Sequence, residues 1–165
     1  MKLRTLLSCA LAVVLLATAA SPALAVTGHV YRHRLLIVIN EARANHGLRP
    51  LRTSLGLHRA AQRHSEDMIA RDYFGHTSPT GSTLYVRIMN SGFIAWGQWS
   101  AGEDLAWGTG TYGTPRATVR MWLASPEHRA ILLSPYYRLI GIGRATGSFL
   151  GHSDAVVWTA DFGHR

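Results

Sequence analysis

Helical periodicity fills the first two thirds of this sequence and strand-like runs close it, which predicts an α+β layered domain with a mostly antiparallel sheet. Two further observations bound the class. The chain carries 17 Lys+Arg against 9 Asp+Glu and is 47% apolar, enough for a packed core. Its one cysteine, Cys9, lies in an N-terminal segment patterned like a secretory signal.

That segment, Met1–Ala25, opens with Lys2 and Arg4, runs apolar from Leu6 to Ala20, and closes on Ala23-Leu24-Ala25. A charged start, a short apolar centre and small residues in an A-x-A ending predict cleavage after Ala25 and an extracellular location. Cys9 precedes the apolar centre, so a lipoprotein anchor is the weaker reading. No later segment reaches 18 uninterrupted apolar residues, which excludes a transmembrane helix. Cleavage leaves about 140 residues without a cysteine, a size that folds as one core without disulfides. The expected organisation is a short N-terminal segment, 26–34, followed by a single domain over 35–163.

Every basic side chain after Ala25 is an arginine, scattered from Arg32 to Arg165 with no long run. The charge sign alone implies weak attraction to wall polymer, lipid headgroups or nucleic acid, and no specific nucleic-acid partner. A monomer is expected.

Each element has a local cause. Val30 to His46 reads as a helix, with Leu35, Val38/Ile39 and Ala42 at helical spacing and Gly47 as its stop. A second helix runs from Ser54 to about Asp72, with Leu57, Ala60/Ala61, His64 and Met68 on one stripe. Ser82 is placed to cap a shorter helix through Asn90. Ser100–Trp107 reads as a strand. Thr114-Pro115 and Ser125-Pro126 each start a helix by placing proline after a cap. Leu139–Ala145 and Ala155–Phe162 are the closing strands.

Three places could carry chemistry. His76 stands in the turn-rich run Phe74-Gly75-His76-Thr77-Ser78-Pro79, where a side chain can face a cleft. Glu103 and Asp104 alternate on a strand, so only one faces a given site. An inward Glu103 needs a partner, which a histidine pair or a metal would supply. Glu127 and His128 open a helix, whose positive end favours an ionised Glu127 and a neutral, metal-competent His128. The competing reading of that segment is ordinary capping.

Together His76, Glu103 and His128 have the composition of a two-histidine, one-carboxylate site suited to Zn²⁺ or another divalent cation, and equally of a hydrogen-bonded cluster. Glu103 or Glu127 is the candidate general base if a metal-bound water reacts. Trp96 and Trp99, in a Gly-flanked loop, are candidates for a glycan or lipid groove, whereas Trp107, Trp122 and Trp158 read as core. His64 reads as a core histidine. Gly108–Gly113 matches G-x-G-x-x-G without the βαβ unit or the later acid that a dinucleotide site needs.

The order Leu36…Ile39-Asn40…Arg43…His46-Gly47-Leu48, Ala60-Ala61…His64-Ser65…Met68, Phe74…His76…Ser78-Pro79, Gly102-Glu103 and Trp122…Ser125-Pro126…His128-Arg129 resembles the CAP superfamily. These are the cysteine-rich secretory, antigen 5 and pathogenesis-related 1 proteins, or SCP-like domains. The likeness is to their disulfide-free bacterial branch. It implies an α-β-α sandwich with a cleft of histidines and glutamates that binds a divalent ion in some members. His76 matches the first histidine, Glu103 the glutamate of G-E-N, and His128 the histidine of the bacterial S-P-x-H-R pattern. Asp104 stands where the family has asparagine, and Glu127 where glycine is frequent. Val157-Trp158-Thr159-Ala160 replaces the final-strand motif that carries the eukaryotic second histidine. The resemblance implies a secreted binding protein for a metal or small polar ligand. The alternatives are a zinc hydrolase acting on peptide or wall substrate, and a module that binds lipid or anionic polymer.

Overall fold

The computed structural model describes residues 22–93 and 98–165, with side chains from residue 28. Residues 1–21 of the expected signal segment, and Trp96, lie outside the described residues. The order is α1 (Pro22–Ala44), β1 (Arg52–Thr53), α2 (Leu55–Arg71), α3 (Leu84–Met89), β2 (Ser100–Gly108), a 3₁₀ turn (Gly110–Gly113), α4 (Pro115–Ala124), α5 (Pro126–Leu132), β3 (Leu139–Phe149) and β4 (His152–His164). The sheet runs β1-β3-β4-β2, with β1 parallel to β3 and the other pairs antiparallel. The α+β expectation and the mostly antiparallel sheet therefore hold.

Ser54 and Thr114 cap α2 and α4 as their positions predict, accepting from Leu57 N and Ala117 N. Three details differ. α1 begins at Pro22 rather than Val30, since proline suits the first helical turn and nothing before Val30 breaks it. Thr83, not Ser82, caps α3 by accepting from Val86 N at 3.3 Å. β1 is only two residues long, too short to show periodicity.

Two helical layers enclose the sheet. On one face Ile140, Ile142, Trp158 and Phe162 join Leu35 and Ile39 of α1, Val119 and Trp122 of α4, and Leu132 of α5 in the largest core cluster. On the other face α2 lies so close to β3 that glycine is required. A methyl on Gly141 would overlap the Leu57 backbone, and one on Gly143 the Ala61 carbonyl. Gly143→Ala is expected to cost about 3 kcal/mol, because two backbones must separate rather than one side chain turn. Chemical denaturation of the variant measures this.

The α2 face is not uniformly apolar. Met68, Leu105, Phe149 and Val157 form one cluster, and Leu57, Ala60, Ile88 and Phe93 another. Along β2, Ala101 packs on the second cluster and Leu105 belongs to the first, so the period of two puts Glu103 between them. Thr159 and Asp161 of β4 are buried on the same side, with Asp161 directly opposite Glu103. Ser65 of α2 donates to Thr159 Oγ1 at 2.9 Å. A polar strip thus crosses an otherwise apolar interface.

Candidate functional site

Glu103 is the centre of that strip, only 3% exposed. Oε1 accepts from His76 Nδ1 at 2.8 Å and Oε2 from Arg87 Nη2 at 2.6 Å. Burial pushes the carboxyl toward its neutral form, but the His76 hydrogen bond and the Arg87 charge outweigh it. Glu103 is held below the usual carboxylate range. Asp161, across the ladder, goes the other way. Fully buried and beside an ionised Glu103, its carboxyl is pushed well above the usual carboxylate range.

Arg87 is the partner that Glu103 requires, and the sequence reading does not name it. Its side chain is 8% exposed. Nη1 donates to the carbonyls of His76 and Ser82, both at 3.0 Å, fastening the two ends of the loop that carries His76. The available signal is that Arg87 is the one charged residue in α3, Leu84-Tyr85-Val86-Arg87-Ile88-Met89.

His76 is fixed at Nδ1, while its side chain is 58% exposed. The Glu103 hydrogen bond raises its pKa against the opposing effect of burial. His64 reads correctly as a satisfied core histidine, since Nε2–H donates to the Gly75 carbonyl at 3.0 Å. It is nevertheless part of the site, with the same nitrogen 3.9 Å from Glu103 Oε2. Burial keeps it neutral.

His128 is not joined to this pair. Its Nδ1 bonds to Ser125 Oγ at 2.8 Å, and burial and the His76 charge both lower its pKa. It lines an adjacent cup of about 250 Å³ with Phe74, Trp107, Met121 and Trp122. Glu127 is exposed in the first turn of α5. Asp104 points to the opposite face from Glu103, as alternation requires, and is buried without a hydrogen-bond partner for either oxygen.

The expected ligand set of His76, Glu103 and His128 is therefore not assembled. Among the described residues no three His, Cys, Asp or Glu side chains are gathered to hold a metal ion. The reason is the placement of His128, which is held by Ser125 and lines the adjacent cup, while Arg87 occupies the second oxygen of Glu103. Each Glu103 oxygen already accepts one hydrogen bond, and the lowered pKa makes this carboxylate a weak base. Trp99 is half-buried and stacks on exposed Tyr85, with ring centroids 5.4 Å apart. Trp122 and Trp158 are core residues whose indole N–H groups reach the Leu105 and Gly113 carbonyls. Gly113 thus serves packing within the G-x-G-x-x-G run.

The family model described as the cysteine-rich secretory protein family, CAP, matches residues 36–162. This chain belongs to the CAP family. Over 133 residues the CAP chain is 32% identical to the uncharacterised Bacillus subtilis protein YkwD, covering 80% of this chain and 46% of YkwD. Over 110 residues it is 34% identical to the uncharacterised B. subtilis membrane protein YlbC, covering 67% of this chain and 30% of YlbC. The chain thus spans less than half of either curated relative. Its fold is also that of an SCP-domain extracellular protein from Bacillus anthracis, with TM-score 0.71 and 24% identity over 90% of this chain and 45% of that one. An outer surface protein from Borrelia burgdorferi follows with TM-score 0.66 and 24% identity over 81% and 91%. No helix among the described residues of the CAP domain is long and apolar enough to cross a membrane.

Proposed function

We propose that this CAP domain is an extracellular or wall-associated binding module that presents His76 to a small ligand bearing an oxyanion or carbonyl. The observation that carries the reading is an exposed imidazole tied through one nitrogen to a buried, ionised Glu103 that Arg87 neutralises. That arrangement leaves Nε2 free, and protonation there makes it a charge-assisted donor. The adjoining cup, with Phe74, Trp107 and Met121, suits an apolar group on the same ligand. In this reading Arg87 supplies the cation that Zn²⁺ supplies in a metal cleft. The signal-like N-terminus supports the location, as do the descriptions of the similar structures as extracellular and outer-surface proteins.

The test uses N-acetyl-leucine, a carboxylate with a branched apolar tail, titrated into the protein and followed by NMR. Saturable shifts at the His76 ring and the Trp107 indole are expected, with affinity of about millimolar for so small a probe. His76→Ala should abolish them, with the fold of the variant confirmed by unchanged amide shifts in the core, since the loss of a Glu103 partner is expected to lower its stability. Shifts that persist in His76→Ala, or their absence from both rings, would contradict the reading.

A further inference from the structure

A second cavity, of about 240 Å³, opens on the other side of Arg87. Its lining contains no apolar side chain, unlike ordinary small-molecule pockets, which are mostly apolar with a few polar groups. Arg63 reaches it from α2, Arg87 and Asn90 from α3 and its C-terminal end, and the hydroxyls of Thr80 and Ser82 from the connecting loop. Donors approaching from three segments surround a ligand, as a tetrahedral group with several terminal oxygens requires, rather than forking onto one edge as for a planar carboxylate.

Two cationic groups there have unspent capacity. Arg87 is more than nine-tenths buried, yet its Nε–H has no hydrogen-bond partner. A buried guanidinium donor left unmet is costly, and no acceptor of the lining lies within hydrogen-bond reach of it. Arg63 is exposed and makes no ion pair among the described residues. One carboxylate, Asp67, completes the wall. It is ionised, with Oδ1 accepting from Arg71 and Oδ2 from Tyr73, and each oxygen keeps a lone pair able to accept from a hydroxyl group. A bare anion would be repelled by Asp67, whereas an anion carrying hydroxyls would be held by both parts.

We infer that this cavity binds a phosphorylated polyol, with the phosphate between Arg63 and Arg87 and the hydroxyls on Asp67 and Asn90. The ligand is small and lacks an apolar body. This site is distinct from the His76 cleft, and the two share the Arg87 guanidinium and the buried His64 that form the wall between them.

The experiment titrates glycerol 3-phosphate, inorganic phosphate and glycerol into the protein at constant ionic strength, following backbone amide shifts. Glycerol 3-phosphate is expected to bind one-to-one with saturable shifts at Ser82 and Asn90, at least tenfold more tightly than inorganic phosphate, while glycerol gives none. Arg63→Ala, an exposed substitution that leaves the fold intact, should weaken binding tenfold or more. His76→Ala should leave it unchanged, so the failure of either site is seen independently of the other. Equal affinity for inorganic phosphate would overturn the inference, because Asp67 would then contribute nothing. Undiminished binding in Arg63→Ala, or no saturable shift, would overturn it as well.

Discussion

Replacing Glu103 by alanine is expected to destabilise the domain by about 3–5 kcal/mol, the range for breaking a buried ion pair from one side. The loss comes less from the missing attraction than from what remains. Arg87 keeps its charge on a side chain only 8% exposed, and His76 loses the acceptor that fixes its ring. Glu103→Gln retains an acceptor for one partner, its amide NH₂ replacing the oxygen that served the other, and should cost less than the alanine variant. Replacing both partners with apolar residues, Glu103→Leu with Arg87→Met, should recover much of the loss, since no charge is then stranded. Denaturant midpoints of the four proteins at one pH decide this. A double variant no better than Glu103→Ala would show that Arg87 matters through its loop contacts rather than through the pair.

The second large effect is of opposite sign. Asp104 lies on the face that packs against α1, α4 and α5, with no partner for either oxygen. Burial, followed by the Glu103 charge, pushes its pKa up to about 8. A native pKa above the unfolded value of about 3.9 means that the folded state binds the extra proton. Stability is thus greatest below the unfolded pKa and falls as pH rises toward 8. Asp104→Asn removes this dependence while keeping the shape, at the cost of a buried amide. It should stabilise by about 2–3 kcal/mol at pH 8 and by almost nothing near pH 5. Thermal unfolding across that interval measures it, and a pH-independent difference would show that Asp104 is not protonated in the native state. His76, whose pKa is also raised, loses stability in the same direction as pH rises through neutrality.

The same residues show how much the sequence discloses. Caps and proline starts locate α2, α4 and α5 because their causes lie within four residues of one another. Strand alternation separates Glu103 from Asp104 correctly because it is a property of one strand. The pairing of His76 with Glu103 follows from the order of motifs in the chain. What is not legible is which cation meets Glu103, because Arg87, His76 and a metal are equally available to a carboxylate until α3 is docked on the sheet. Asp161 escapes notice for the same reason, since facing Glu103 is a matter of register between β2 and β4. His64 is legible as a core residue and not as a neighbour of Glu103, because its hydrogen bond runs to backbone.

His76 is held by an ionised Glu103 whose charge Arg87 balances. The most direct test is an NMR titration of the His76 ring in metal-free protein, beside Glu103→Gln. A pKa above the ordinary histidine value is expected in the parent. In the variant it should fall below that value, where burial and the Arg87 charge act unopposed. A parent pKa at or below the ordinary value, or one that Glu103→Gln leaves unchanged, would contradict it.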